Sequence, residues 1–73
     1  LIVCLGATAA QALLGKAFRV TRQHGEVLTS ELGPALATVH PSAILRAPDD
    51  VRDETYDGFV KDLRAAAAAL QPL

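Results

Sequence analysis

Cysteine and aromatic residues are scarce in this sequence, and tryptophan and methionine are absent from it. The only cysteine, Cys4, can form no disulfide within the chain, and its apolar neighbours predict that it packs as a small hydrophobe. A single thiolate also excludes an iron–sulfur cluster held by these residues alone, because such a cluster takes four thiolates. An aromatic content of 4% argues against a stacking platform for single-stranded nucleic acid. This cysteine usage fits a reducing, cytoplasmic compartment.

Long apolar runs are absent as well. No stretch approaches the 18 apolar residues of a membrane span, and no signal-peptide pattern occurs, so we expect no membrane partner. No second histidine or carboxylate stands at a recognised metal spacing from His24, and we predict no metal site. His24 itself is favoured as a solvated turn residue over a catalytic base or a ligand.

The 73 residues allow at most one small domain, of marginal stability if it stood alone. The chain begins without methionine on Leu1-Ile2-Val3-Cys4-Leu5, which is already the pattern of a buried strand. We therefore expect residues 1–73 to be part of a longer protein, in preference to a complete small domain.

Charge is distributed unevenly along the chain. Residues 1–46 carry four basic and two acidic side chains, whereas residues 47–73 carry three basic and six acidic ones. The net charge of −1 is not a basic nucleic-acid footprint, although the first part could face phosphates. Ordinary solvated charge explains the same distribution equally well.

Glycine and apolar spacing predict the first elements. The strand Leu1 to Leu5 ends at Gly6, and a helix follows that ends at Gly15. The junction Gly6-Ala7-Thr8 would present backbone N–H groups at the positive end of that helix, where a phosphate is stabilised. Because G-x-G-x-x-G is absent, a turn that merely lets the helix pack closely is an equal alternative.

Further along, residues 16–28 suggest a strand, a polar turn and a second strand, and residues 31–34 suggest a loop. Ala35 to Val39 is predicted as a buried strand. Pro48-Asp49-Asp50 begins a last helix that Pro72 ends. Its predicted packing face comprises apolar residues at spacings of three and four, namely Tyr56, Phe59, Val60, Leu63, Ala67 and Leu70.

The most informative stretch is Ala37-Thr38-Val39-His40-Pro41-Ser42-Ala43-Ile44-Leu45-Arg46. Its apolar start predicts a strand that delivers His40 to a sheet edge, and Pro41 biases His40 towards extended backbone. Ser42 can cap a following helical turn or bind an anion, while Ile44 and Leu45 place two apolar side chains beside the cation Arg46.

His40-Pro41-Ser42, followed by aliphatic residues and Arg46, resembles the His-Pro-Ser motif of uracil-DNA glycosylases, most closely their iron–sulfur (family 4) branch. Residues 5–10, 18–21 and 25–28 resemble the bacterial offshoot called UdgX, whose members bind uracil in DNA tightly and can become covalently joined to it. The resemblance runs through nearly the whole chain but covers only the C-terminal part of such a protein. Similar sequences usually carry arginine where this chain has His24.

The resemblance implies a role for each site residue. His40 would be the catalytic donor that stabilises negative charge on the departing uracil, the task of a positioned N–H in a pocket that excludes water. Ser42 would hold a phosphate beside the flipped nucleotide, as would Ala7 and Thr8. Ile44, Leu45 and Arg46 would fill the gap that the flipped base leaves, although one of the two aliphatics is expected to anchor the loop.

The resulting fold class is α/β: residues 1–73 are expected to form the C-terminal portion of a three-layer α/β/α uracil-DNA glycosylase-like domain with a parallel central sheet. The intact protein would recognise uracil in DNA and either excise it or capture it covalently, as a monomer. It would also hold a [4Fe-4S] cluster, with every ligand outside this chain. The alternatives are a non-catalytic DNA-binding relative and an unrelated α/β nucleotide-binding or interaction module.

Overall fold

The computed structural model describes residues 1–70. Three strands and four helices follow one another in the order β1 (Ile2–Leu5), α1 (Ala7–Leu14), α2 (Val20–Gln23), β2 (Val27–Ser30), β3 (Gly33–Thr38), α3 (Pro41–Arg46) and α4 (Asp49–Leu70). Within this part of the chain, no helix has both the length and the apolar character needed to cross a membrane.

The first strand and helix form where the sequence predicts them. Gly6 separates them with φ of 92°, a backbone conformation open to glycine but strained for other residues. Gly15 ends α1 with φ of 105°, and its N–H donates to the carbonyl of Gln11 at 3.0 Å. The two glycines therefore set both ends of α1.

The strands form one sheet in the order β1-β3-β2. β1 and β3 are parallel, with Leu5 opposite Thr38, which agrees with the expected parallel pairing. β2 and β3 are antiparallel and are joined by a turn at Glu31 and Leu32, so the sheet is mixed. Gly33 and Pro34, expected in a loop, are the first residues of β3, and Pro34 is exposed.

Helices cover both faces of β3, which makes the fold a three-layer α/β/α arrangement. Ala37 belongs to the core cluster on the face of α1, together with Cys4, Ala10 and Phe18. Thr38 points to the opposite face because side chains alternate along a strand, and there it bonds to α4. Every side chain from Ala35 to Thr38 is fully buried, as expected for a strand covered on two sides. Cys4 packs as the predicted small hydrophobe.

The prediction of a strand in residues 16–20 was wrong, and the predicted turn at residues 21–25 is present only at His24 and Gly25. Turns lead into the short helix α2, and strand structure resumes only at Val27. Local hydrogen bonds favour the helical turn: the Arg19 N–H donates to the side-chain oxygen of Gln23 at 3.1 Å, and the Gln23 N–H donates to the Arg19 carbonyl at 2.9 Å.

The last helix begins as predicted, but it packs with a different face. Of the residues expected to be buried, Phe59 and Val60 are half-buried, whereas four are exposed: Tyr56, Leu63, Ala67 and Leu70. The buried residues of α4 are Asp62 and Ala66. α4 is thus rotated towards an acidic residue, because the carboxylate of Asp62 bonds to groups on two other elements. Pro72, expected to end the helix, lies outside the described residues.

Candidate DNA-binding site

The parallel pairing of β1 and β3 brings two chain segments to the same edge of the sheet. Both strands end there, with Leu5 in register with Thr38, so the residues that follow each strand become neighbours. The Gly6 N–H donates to the Thr38 carbonyl at 2.8 Å, which fixes the two strand ends together. A Cβ on Gly6 would lie 3.2 Å from the Cβ of His40. His40 can approach β1 this closely because residue 6 has no side chain.

His40 lies at the N-cap position of α3, where Pro41 occupies the first turn. Its φ of −70° and ψ of 141° are the extended values that a following proline favours. The Nδ1 atom of His40 accepts a hydrogen bond from the Ser42 N–H at 3.1 Å. The segment after His40 is therefore a short helix rather than a loop. Its cap is His40, and the expectation that Ser42 caps a helical turn was wrong.

This capping bond decides which nitrogen of a neutral His40 ring carries the proton. Because Nδ1 accepts from a backbone N–H, the proton of the neutral imidazole lies on Nε2. The hydroxyl of Ser42, 2.9 Å away, can also donate to Nδ1. His40 is exposed, so its Nε2–H is a donor available to a ligand at the sheet edge.

Arg46 extends this chain of donors. Its Nη2 donates to the Ser42 hydroxyl oxygen at 3.2 Å, one helical turn away on α3. The hydroxyl proton is then free to point towards Nδ1 of His40, so the two side-chain bonds run in one direction, from guanidinium to hydroxyl to imidazole. A cation and a hydroxyl thus lie directly beside the ring, the combination that binds a phosphate oxygen.

One open depression, of about 310 Å³, collects most of the predicted site. Its lining residues come from the end of β1, the start of α1 and the first part of α3: Leu5, Gly6, Ala7, Thr8, His40, Ser42 and Arg46. Five of the predicted residues thus share one surface, although His40 and Thr8 are separated by a large part of the chain. Ala7 and Thr8, in the first turn of α1, lie on the same side. Their amide groups are not used within the helix, because its first internal bond runs from the Ala10 N–H to the Gly6 carbonyl.

Ile44 and Leu45 do not line this depression. Ile44 is half-buried on α3, which packs against α4, whereas Leu45 is 77% exposed. The geometry separates the two residues that the sequence grouped together: Ile44 anchors the helix, and Leu45 projects into solvent next to Arg46.

Sequence reasoning did not single out Gly6, Thr38 or Asp62 around this site. Gly6 was considered as part of a turn and a phosphate-binding junction, but not as the residue against which His40 packs. Asp62 could have been noticed because it lies three residues after Phe59 and four before Ala66, where the helical repeat calls for an apolar residue.

His24 is more than a solvated turn residue. Its Nδ1 lies 2.8 Å from the Asp62 carboxylate, although its side chain is 40% exposed.

Among residues 1–70, no group of three or more histidine, cysteine, aspartate or glutamate side chains could hold a metal ion. Cys4 is buried and is the only cysteine of the chain, so its residues do not fit an iron–sulfur cluster.

These features define a class: a three-layer α/β/α domain that presents a tautomerically fixed imidazole and a hydroxyl–guanidinium pair at the carboxyl edge of its parallel strands. Comparison with protein families identifies the particular family within this class. The family model for the uracil DNA glycosylase superfamily matches residues 1–64, and the chain belongs to that superfamily. No individual curated protein matches the chain significantly. Membership supports a glycosylase-like function on DNA in general.

Proposed function

We propose that the protein recognises uracil in DNA and breaks its N-glycosidic bond, with His40 as the catalytic residue. The observation that carries this proposal is the capping bond to Nδ1 of His40, which leaves Nε2–H as a donor at the edge of the sheet. That donor stabilises negative charge on a pyrimidine carbonyl oxygen as the base departs. The superfamily match supports the reaction class.

The reaction needs charge stabilisation more than it needs a strong acid. When the bond between C1′ and N1 of uracil breaks, its electron pair leaves with the base, and the sugar becomes electron-deficient. In hydrolysis, water then adds its oxygen to C1′, and its proton ends on the base. A neutral imidazole that donates a hydrogen bond to the uracil oxygen lowers the energy of this anion without giving up its proton. The residues that position water, or that capture the sugar covalently, are expected in the rest of the protein.

Ser42 and Arg46 are proposed to grip a phosphate next to the flipped nucleotide. The 3.2 Å bond between them holds both groups on one side of α3, beside the ring of His40. Ala7 and Thr8, across the same depression, would contact a neighbouring phosphate through the first amides of α1. Base flipping costs a few kcal/mol, and such contacts on both sides of the extruded nucleotide offset that cost.

Within the superfamily, we propose the family 4 branch and its UdgX-type offshoot, on the resemblance of residues 5–10, 18–21 and 25–28. Residues 1–73 would then be the C-terminal portion of a longer monomeric, cytoplasmic protein, and any [4Fe-4S] cluster of that protein would be ligated outside this chain.

The function is tested with the full-length protein and two otherwise identical DNA duplexes, one with uracil and one with thymine at a single position. We expect preferential binding to the uracil duplex in a gel-shift competition, together with release of free uracil or a complex that survives denaturation. Equal binding to both duplexes with neither product would reject the glycosylase function and leave the non-catalytic DNA-binding relative. Absence of binding to either duplex would favour an unrelated α/β module.

Leu45 offers a separate test of base flipping. If its exposed side chain fills the gap in the duplex, Leu45→Ala should lower turnover on duplex DNA by about tenfold and affect single-stranded substrate much less, because only the duplex requires unstacking. Stability should change by less than about 0.5 kcal/mol, as for other exposed positions.

The matched control for Leu45 is Leu32, a leucine of nearly equal exposure, 75%, in the turn between β2 and β3. Leu32→Ala removes the same side chain from a turn that carries none of the residues proposed to contact DNA. Equal loss of duplex activity in the two variants would contradict a specific wedge function of Leu45.

A further inference from the structure

A second polar cluster lies directly behind His40, on the face of β3 that α4 covers. The hydroxyl of Thr38 donates to Oδ2 of Asp62 at 2.6 Å, and Nδ1 of His24 lies 2.8 Å from the same oxygen. Thr38 is fully buried and Asp62 is 5% exposed. These three residues, here called the Asp62 network, join the end of β3, the turn after α2 and the middle of α4.

Apolar side chains in place of the Asp62 network could stabilise the fold about as well as its hydrogen bonds do. Removing a carboxylate from water costs several kcal/mol, and apolar side chains of similar size in place of a buried polar pair are often neutral or stabilising. Bonds of fixed length and direction give something that apolar contacts do not, namely one defined position for the groups they join. The end of β3 is where such definition matters, since His40 follows Thr38 by two residues.

Three hydrogen bonds converge on the last two residues of β3. Besides the Thr38 hydroxyl bond, the Gly6 N–H donates to the Thr38 carbonyl at 2.8 Å and the Gly25 N–H donates to the Ala37 carbonyl at 2.8 Å. Strand pairing stops at Thr38, and Val39 is the single link between this anchored end and His40. A displacement of the Thr38 backbone would therefore reach His40 along the chain through this one residue.

The packing around Gly25 also indicates a defined position. A Cβ at Gly25 would overlap Oδ1 of Asp62, so the carboxylate fits directly against the backbone of the turn that carries His24. Val39 lies in the same groove between this turn and α4 as His24 and Asp62. The carboxylate is thus held by a hydroxyl, an imidazole and a backbone surface together.

We infer that Thr38 and Asp62, supported by His24, are positioning residues for His40: their hydrogen bonds hold the end of β3 so that the imidazole is placed at the DNA-facing edge. This inference rests on the proposed function of His40. The Asp62 network touches none of the groups proposed to grip DNA. Its loss should therefore lower kcat and leave KM for the uracil duplex unchanged.

The decisive variant is Thr38→Val in the full-length protein, which keeps the branched shape and removes the hydroxyl. We expect kcat to fall about tenfold, consistent with a small misplacement of a reacting group. Ring ¹H and ¹⁵N signals of His40 should shift, because the ring moves relative to Gly6 and the end of β1, against which its Cβ packs. Thr38→Ser, which restores the hydroxyl, should return both readouts to within about threefold of the wild type in rate and to the wild-type spectrum.

Two further variants distinguish positioning from general loss of stability. Phe18→Leu weakens the core on the opposite face of the sheet. Even where it lowers the melting temperature as much as Thr38→Val does, it should leave kcat and the His40 signals unchanged. His24→Ala removes the half-exposed partner of Asp62 and should lower kcat less than Thr38→Val does, by about threefold. This variant provides the test if Thr38→Val folds poorly.

The outcomes separate this inference from the proposed function. If Thr38→Val and His24→Ala match Phe18→Leu in both rate and His40 signals, the positioning role is overturned. If the His40 signals move as expected but the wild-type protein releases no uracil and forms no covalent complex, the Asp62 network still positions His40 and the glycosylase function is rejected.

Discussion

Replacing His40 with alanine in the full-length protein is expected to lower uracil excision or covalent capture by about 10²-fold or more. The imidazole Nε2–H is the donor that the geometry makes available, and alanine supplies none. Uracil-release kinetics at saturating DNA measure this loss. Binding to the uracil duplex should weaken far less, since Ser42 and Arg46 keep their hydroxyl and guanidinium groups.

His40 also caps α3, so a control must retain the cap. Asparagine is among the best N-cap residues, and His40→Asn should preserve the start of α3, whereas His40→Ala loses about 1 kcal/mol of stability. Because the shorter amide does not reach as far as Nε2, the asparagine variant should be as inactive as the alanine variant while melting close to the wild type. An active, stable His40→Asn protein would assign His40 to structure alone.

Gly6→Ala is expected to cause the second large effect. Its Cβ would lie 3.2 Å from the Cβ of His40, so His40 must give way by a few tenths of an ångström, and the backbone of residue 6 is at φ of 92° and ψ of 167°, where a side chain costs about 1–3 kcal/mol. We expect about tenfold slower turnover, because a misplacement of about 1 Å at a reacting group costs about 10²-fold and the displacement here is smaller. Turnover and melting temperature are measured together.

Gly15 supplies the matched control for Gly6. It ends α1 at φ of 105° and ψ of 155°, in the same region of backbone conformation, but a Cβ there would meet nothing within 4 Å. Gly15→Ala should lower stability by a similar amount and leave turnover of the remaining folded protein near that of the wild type. Equal loss of turnover in both variants would show that strain, and not the approach to His40, accounts for the effect.

The parts of the fold that the sequence predicts are those set by local chemistry. Ile2–Leu5 forms a strand, and two glycines bound the next helix, because an apolar run and positive-φ positions leave few alternatives. Pro41 likewise restricts His40 to extended backbone, which places the ring at the end of a strand. The meeting of residues 6–8 with His40 then follows once β1 and β3 are parallel.

Other features depend on partners that are distant in sequence. The face that α4 buries is set by Asp62, whose partners lie 24 and 38 residues away, so hydrophobic spacing alone selected the wrong side. Ser42 was considered as a cap because serine is common at that position, yet α3 already begins at Pro41, and His40 caps it by accepting from the Ser42 N–H. Helix α2 was missed because Val20 and Thr21 favour strands, while Gln23 bonds back to Arg19.

The parallel contact between β1 and β3 has a consequence for folding. The β2–β3 hairpin and the contact between helices α3 and α4 use partners close in sequence, whereas β1 must find β3 across nearly half the chain, which carries the greater entropic cost of loop closure. β1 is therefore expected to dock late, and the proposed phosphate contacts lie on both sides of that junction. A nucleic acid that contacts Thr8 and Ser42 together would hold it closed, so substrate binding would stabilise the last part of the domain to assemble.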